Sequence, residues 1–272
     1  MNADFLLKSL AAKPCAEPID PVKWLYQSEF GCGHMLPPEA DCAARIAQET
    51  AQAAQTDAEP PFEALGDGLC RLNLKHPLTR ALPPERIARM MRVTDGGVRG
   101  ASAGFEAKLA LLSSLAARYG SDGAGFACSQ SACGALCDGL GPTGGQAAML
   151  PSAGGAPQAS AEQELLFQTA APVSIPPMDE RVPLRLPFTA QALAEALLAY
   201  RAAPPSPPSH SERYRRAYAP AYRVVLRRFG EALPALARVE AQLAAAGRAV
   251  LVMDGDCASG KTTLASLLSQ LY

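Results

Sequence analysis

The chain has 272 residues, with 25 basic and 26 acidic side chains and a formal net charge of −1. This length suffices for one large domain or two small ones, and the near-zero charge excludes a whole-chain attraction to nucleic acid or anionic lipid. No apolar run reaches the ~20 residues of a membrane-spanning helix, and none has the layout of a secretion signal. The sequence therefore predicts a cytoplasmic protein with no membrane partner, in which the eight cysteines stay reduced.

Residues 1–119 are predicted to form a compact, mainly helical module with a minor β element. Asp20 followed by Pro21 is a typical helix start, with Asp20 as the N-cap, and Gly31 is a typical stop. Apolar residues at positions 70, 72 and 74 alternate with polar ones, which predicts one half-buried strand. Further helices are predicted from Pro38 to about Gln55, over Pro84–Val93 and over Ser102–Tyr119. The last of these would have one apolar face, formed by Phe105, Leu109, Leu112 and Ala116.

Residues 120–187 are rich in Gly, Ala, Ser and Pro and poor in long apolar side chains. Such a composition buries too little apolar area to offset the entropy of ordering, so we predict a flexible linker or insertion. Residues 188–247 are predicted to be a helical brace. It would contain a helix from the N-cap Thr189 through Ala202 and a helical stretch over Ser211–Ala246 that is interrupted at Pro220 and Pro234.

The Ser211–Gly230 stretch carries three tyrosines at a spacing of four, together with six arginines and one glutamate. Three interpretations remain open for it. The favoured one is a brace that packs against the domain that follows, the second is contact with an anionic ligand or substrate phosphate, and the least favoured is nucleic-acid binding.

Residues 248–272 contain the most specific motif of the chain. The apolar run Ala249–Met253 predicts a buried parallel strand. Gly255 to Thr262 match the G-x-x-x-x-G-K-[ST] phosphate loop, and a helix with a leucine stripe is predicted from Thr263 to Tyr272. Strand, loop and helix occur in the order that the motif requires.

The loop spacing has a physical cause. Glycines 255 and 260 allow successive N–H groups to turn inward, which forms a nest for phosphate oxygens at the positive end of a helix. Lys261 is the predicted catalytic residue because it can reach the β- and γ-phosphates, and the Thr262 hydroxyl is the predicted Mg²⁺ ligand. The predicted cofactors are ATP and Mg²⁺, and the predicted binding residues are Gly255, Asp256, Cys257, Ala258, Ser259, Gly260, Lys261, Thr262 and Thr263.

The loop sequence DGDCASGKTTL, from Asp254 to Leu264, resembles the phosphate loop of the uridine kinase and phosphoribulokinase group of P-loop kinases. The stretch from His210 to Val225 resembles a lead-in of uridine-kinase-like proteins that carry an N-terminal helical extension. The resemblance implies the start of an α/β P-loop NTPase fold after the helical module. It also implies Mg-ATP-dependent phosphoryl transfer to a nucleoside or another small hydroxyl compound.

Only ten residues follow Thr262, so the sequence predicts the first strand and helix of that fold and none of its later elements. On this interpretation the chain is a truncated form that is inactive by itself. Two alternatives remain open. One is a non-enzymatic, partner-binding or regulatory helical protein with a vestigial phosphate loop, and the other is a P-loop ATPase.

Weaker groupings of reactive side chains occur elsewhere. Glu29, Cys32 and His34 could form a small-molecule site, or a metal site with Cys42, but a structural or partner-contact role is favoured. The spacing of Cys128, Cys133 and Cys137 does not match an iron–sulfur motif. Cys257 lies inside the phosphate loop, where a role as a small filler residue is favoured over redox control.

Overall fold

The computed structural model describes residues 3–32, 36–98, 100–121, 185–202 and 207–272, which form ten helices and three strands. The helices are α1 Ala3–Ala11, α2 Ile19–Phe30, α3 Glu39–Gln52, α4 Pro77–Arg80, α5 Pro84–Gly97, α6 Ser102–Tyr119, α7 Ala190–Ala202, α8 Glu212–Tyr218, α9 Arg227–Ala246 and α10 Lys261–Ser269. The strands are β1 Phe62–Gly66, β2 Leu69–Asn73 and β3 Tyr222–Leu226. None of these helices is both long and apolar enough to cross a membrane.

The three strands form one antiparallel sheet in the order β1-β2-β3. The predicted strand at positions 70–74 is therefore confirmed as β2, but the prediction that it is half-buried is wrong. Its residues Leu69 to Leu72 are all buried, including Arg71. The buried Arg71 guanidinium is not left without partners, because it donates hydrogen bonds to Glu63 and to the side-chain oxygen of Gln27.

The helical stretch predicted over Ser211–Ala246 is interrupted at Pro220, as predicted, but it does not resume there, because Tyr222–Leu226 form β3. This strand pairs with β2 along five residues, from Leu69 opposite Leu226 to Asn73 opposite Tyr222. The predicted break at Pro234 is wrong, since α9 runs through it to Ala246. Burial of Phe229, Leu233 and Leu236 on one face outweighs the hydrogen bond that the proline removes.

Several helix predictions are confirmed. Helix α2 ends at Gly31, whose φ of 68° lies in the left-handed region. On α6 the predicted face of Phe105, Leu109, Leu112 and Ala116 is buried. Thr189 caps α7 by accepting a hydrogen bond from the Ala192 N–H at 3.0 Å.

The described apolar core forms two main clusters and a small third one of Leu65, Leu69 and Val224. The first joins α1, α2, α6 and α7 around Trp24 and receives Tyr214 from α8. The second joins α3, α5, β2, β3 and α9 around Phe229, and it receives three leucines from residues 267–271. Residues 185–226 thus pack directly against residues 3–119, and both clusters draw on both parts of the chain.

The ends of α6 and α7 meet through two backbone hydrogen bonds. Ser121 N–H donates to the Phe188 carbonyl at 3.3 Å, and Leu186 N–H donates to the Tyr119 carbonyl at 2.8 Å. Positions 119–121 and 186–188 are therefore neighbours in the fold, although they are far apart in sequence. Most of the linker predicted over 120–187, and the three cysteines within it, lie outside the described residues.

A buried polar group links the N-terminal helices to the segment before α8. The Asp20 carboxylate is fully buried, and it is not the N-cap of α2 because the helix begins at Ile19. One carboxylate oxygen accepts hydrogen bonds from His210 Nδ1 at 2.8 Å and from the Ser211 N–H at 3.0 Å. The other accepts from the Glu17 N–H and the Ser211 hydroxyl, both at 2.8 Å. Four donors therefore converge on this carboxylate.

We expect acid to destabilise the protein through His210. Burial lowers its pKa to about 4 and outweighs the attraction of Asp20, so the folded imidazole stays neutral down to that pH. Its Nδ1–H donates to Asp20, its Nε2 accepts from the Tyr222 hydroxyl at 2.5 Å, and Lys23 and Arg71 face it as cations. The unfolded histidine protonates near pH 6.5, so stability should fall as pH drops from about 6.5 to about 4, by roughly 3 kcal/mol.

Urea unfolding measured from pH 7.5 to pH 4.5 tests this pH dependence. His210→Gln keeps a polar group at the site and removes the titration, so its stability should vary less over that range. The exposed, unrelated substitution Asp4→Asn serves as the reference for general acid effects. If the unfolding free energy of His210→Gln fell with pH as steeply as that of the unmodified protein, His210 would not be the group that causes the loss of stability.

Candidate functional site

The predicted phosphate loop lies on the surface, directly before α10. Gly260 is the residue before the helix and adopts a φ of 85°, in the left-handed region. Gly255 has a φ of 145°, and Ala258 also has a positive φ, of 62°. These values turn the backbone sharply at both ends of the loop, as the predicted phosphate nest requires.

Lys261 folds back over the loop instead of extending into solvent. Its ammonium donates to the Gly255 carbonyl at 2.5 Å, the Asp256 carbonyl at 2.7 Å and the Ser259 hydroxyl at 3.3 Å. The side chain therefore closes a ring from position 255 to position 261. The positive charge of Lys261 therefore lies against oxygen atoms of the loop itself.

The first turn of α10 leaves backbone donors available. The N–H groups of Lys261, Thr262 and Thr263 have no backbone acceptor among the described residues, and that of Leu264 bonds the Gly260 carbonyl. Free N–H groups at a helix start carry partial positive charge. Together with the Lys261 ammonium they favour an anion at this place, and the Thr262 hydroxyl is exposed beside them.

Helix α10 is fixed to the rest of the fold at its far end. Three leucines that the sequence predicts as an apolar stripe, Leu267, Leu268 and Leu271, are buried in the second core cluster. Arg89 of α5 donates to the Gln270 carbonyl at 3.0 Å, and the Arg86 guanidinium lies 3.8 Å from the centre of the Tyr272 ring. The loop therefore precedes a helix whose C-terminal half packs into the core.

The strand predicted at Ala249–Met253 is not formed, which corrects that part of the predicted α/β unit. The segment makes no backbone hydrogen bond with any described residue, and Val250 and Val252 are 89% and 83% exposed. A strand needs a neighbour to receive its N–H and C=O groups, and no described strand lies beside this one. The apolar run has no regular secondary structure, and it lines a groove of about 970 Å³ together with α9 and α10.

The structure does not assemble Glu29 and Cys32 into a reactive pair. Glu29 accepts from the Ala101 N–H and pairs with Lys108 at 2.8 Å, and these contacts lower its pKa. The Cys32 thiol donates to the Met91 carbonyl at 3.3 Å, and burial raises its pKa to about 12. Such a thiol is a poor nucleophile at neutral pH. His34 lies outside the described residues.

The other described cysteines are free thiols without a common site. Cys42 is buried and contacts the Met91 sulfur at 3.7 Å, whereas Cys257 is exposed in the loop. Across the part of the chain that the structure describes, no three His, Cys, Asp or Glu side chains cluster as metal ligands.

Motif reasoning missed a second polar region, a cavity of about 580 Å³ between α2, α8 and β3. Lys23, His210 and Arg215 line it. The only sequence signal for it is the arginine-rich, tyrosine-containing stretch after Ser211, for which an anionic ligand was one of three interpretations. Lys23 belongs to another helix and carries no signal of its own.

A scan against protein-family models, a search of curated proteins and a search of solved structures each find no match to this chain.

Proposed function

We propose that residues 255–263 bind the phosphates of Mg-ATP and that the protein serves phosphoryl transfer to a nucleoside or another small hydroxyl compound. The supporting observation is the position of Lys261, whose ammonium bonds two carbonyls and a hydroxyl of the loop at the start of α10. The acceptor part of the proposal rests on the resemblance of the loop sequence to that of uridine kinases.

Different groups of the loop would make different contacts with Mg-ATP. The N–H groups of Lys261, Thr262 and Thr263 lack backbone acceptors among the described residues, so they would be free to donate to phosphate oxygens. The Lys261 ammonium would exchange its hydrogen bonds with loop oxygens for contacts with the β- and γ-phosphates. The Thr262 hydroxyl would hold Mg²⁺. When bound, Mg-ATP would supply the transferable phosphoryl group, and these residues would position it and balance its charge.

Lys261→Ala is expected to weaken ATP binding by about 10- to 100-fold, because it removes charge-assisted hydrogen bonds to the phosphates. The substitution should leave folding intact, since the Lys261 bonds are all made within the exposed loop. Equilibrium dialysis with labelled ATP in the presence of Mg²⁺ measures the effect.

Lys8→Ala is the matched control, because Lys8 is exposed and its ion pair among the described residues is with Asp4, far from the loop in sequence. Equal ATP binding by the Lys261→Ala and Lys8→Ala proteins would refute the assignment of the loop. Thr262→Ala should lose the Mg²⁺ dependence of binding and keep part of the affinity for ATP without metal.

The acceptor is tested separately with γ-labelled ATP. Label that passes to uridine supports the kinase proposal, whereas release of free phosphate without an acceptor favours the ATPase alternative. Bound ATP that undergoes neither reaction would leave nucleotide binding in place and contradict the transfer part for this chain.

A further inference from the structure

The cavity between α2, α8 and β3 has an excess of positive charge. Its wall includes the cations Lys23, Arg215 and Arg223, and the single carboxylate in that wall belongs to Glu49. Arg223 engages Glu49 through both guanidinium ends, at 2.7 and 2.8 Å. Two positive charges of the wall therefore have no counter-ion in it.

Lys23 is the least compensated of these cations. No hydrogen bond or ion pair engages its ammonium among the described residues, and it lies 6.0 Å from the centre of the Tyr222 ring. Burial, with Arg71 and Arg215 nearby, lowers its pKa to about 8. A half-buried ammonium beside two guanidinium groups is unfavourable without an anion.

Arg215 has its guanidinium partly occupied. Its Nε donates to the His210 carbonyl at 2.9 Å, which fixes the side chain at the edge of the cavity, while its two terminal nitrogens bond no described residue. The nearby Asp20 carboxylate attracts Lys23 electrostatically, but it does not line the cavity, and its two oxygens already accept four hydrogen bonds from other groups. Lys23 and Arg215 therefore both line the cavity and keep N–H donors that no described residue accepts.

The rest of the cavity wall can contact the apolar part of a small organic molecule. Met91, Pro220, Val224 and the Tyr222 ring supply apolar surface, and the volume of about 580 Å³ lies in the range of small-molecule sites. We propose that this cavity binds a small phosphate monoester, with its dianionic head between Lys23 and Arg215. Two cations that form no ion pair within the cavity match the charge of such a head. This site is separate from the phosphate loop and shares no residue with it.

The test uses phenyl phosphate as the probe, titrated calorimetrically into the full chain carrying Lys261→Ala. That background removes the lysine of the phosphate loop, so a failure of the proposed ATP site cannot be confused with a failure of this one. Adding Lys23→Met or Arg215→Gln is expected to weaken binding by about 10- to 100-fold. Arg216→Gln is the matched control, because Arg216 pairs with Glu212 on the exposed side of α8, and it should leave binding unchanged.

Thermal unfolding separates lost binding from lost folding. Without the probe, Lys23→Met should be at least as stable as its parent, because it removes an uncompensated cation. Saturating phenyl phosphate should raise the midpoint of the parent and not that of Lys23→Met. The proposal is overturned by absence of binding to the parent, by equal binding of Lys23→Met and Arg216→Gln, or by equal binding of the neutral probe benzyl alcohol.

Discussion

Replacing Asp20 with asparagine is expected to lower the free energy of unfolding by about 2–4 kcal/mol. The carboxylate accepts four hydrogen bonds from Glu17, His210 and Ser211, and it is fully buried. Asparagine has nearly the same shape but presents an NH₂ group where one acceptor oxygen stood. In either orientation that group faces donors, so at least one buried N–H loses its partner.

Urea unfolding at pH 7 measures the loss. Asp4→Asn is the matched control, because Asp4 is exposed and pairs with Lys8 one helical turn away, a contact worth no more than about 0.5 kcal/mol. The difference in unfolding free energy between the two variants gives the contribution of burying the Asp20 carboxylate among four hydrogen-bond donors. If Asp20→Asn were as stable as Asp4→Asn, the four-donor arrangement would not exist in solution.

Residues 1–119 produced alone are expected to show no cooperative unfolding transition. Strand β2 would lose β3, its hydrogen-bonded neighbour on one side. The second core cluster would lose Val225, Phe229 and Leu233, each of which is completely buried. Burial of a side chain of this size contributes about 1.5–3 kcal/mol, so the loss of these three removes a large part of the stability of an ordinary domain.

The matched control is a chain of residues 1–247, which keeps the sheet and both clusters except for the leucines of 267–271. It should unfold cooperatively in urea, whereas 1–119 should unfold gradually and bind hydrophobic dyes. A sharp transition for 1–119 would instead support the alternative of a self-sufficient, partner-binding helical module.

Sequence reasoning predicts the local elements of this fold well where short-range chemistry decides them. The end of α2 at Gly31 and the cap at Thr189 depend on one residue each. The buried face of α6 follows from its helical period. The Gly-x-x-x-x-Gly-Lys-Thr spacing likewise predicts the backbone turns at Gly255 and Gly260.

The errors concern contacts between distant parts of the chain. β3 forms because β2 lies beside it, and Cys70 meets Leu226 across 156 positions of sequence. The valines at 224 and 225 signal a strand, but the arginines and the regular tyrosine spacing around them favour a helix. The cation excess at Lys23 depends on three separate elements meeting, which no local pattern records.

The opposite error at Ala249–Met253 has the same cause. Its apolar run has the composition of a buried strand, but a strand forms only where another strand receives its hydrogen bonds. With Val250 and Val252 exposed, the segment has the composition of a strand without the pairing.

The meeting of Tyr119–Ser121 with Leu186–Phe188 ties the end of α6 to the segment that leads into α7. The two backbone hydrogen bonds hold Leu193 and Leu197 of α7 in the cluster that also contains Leu112 and Ala116 of α6. A proline at position 186 would remove the N–H that donates to the Tyr119 carbonyl. The cost of that change would fall on the docking of a whole helix and not on a single turn.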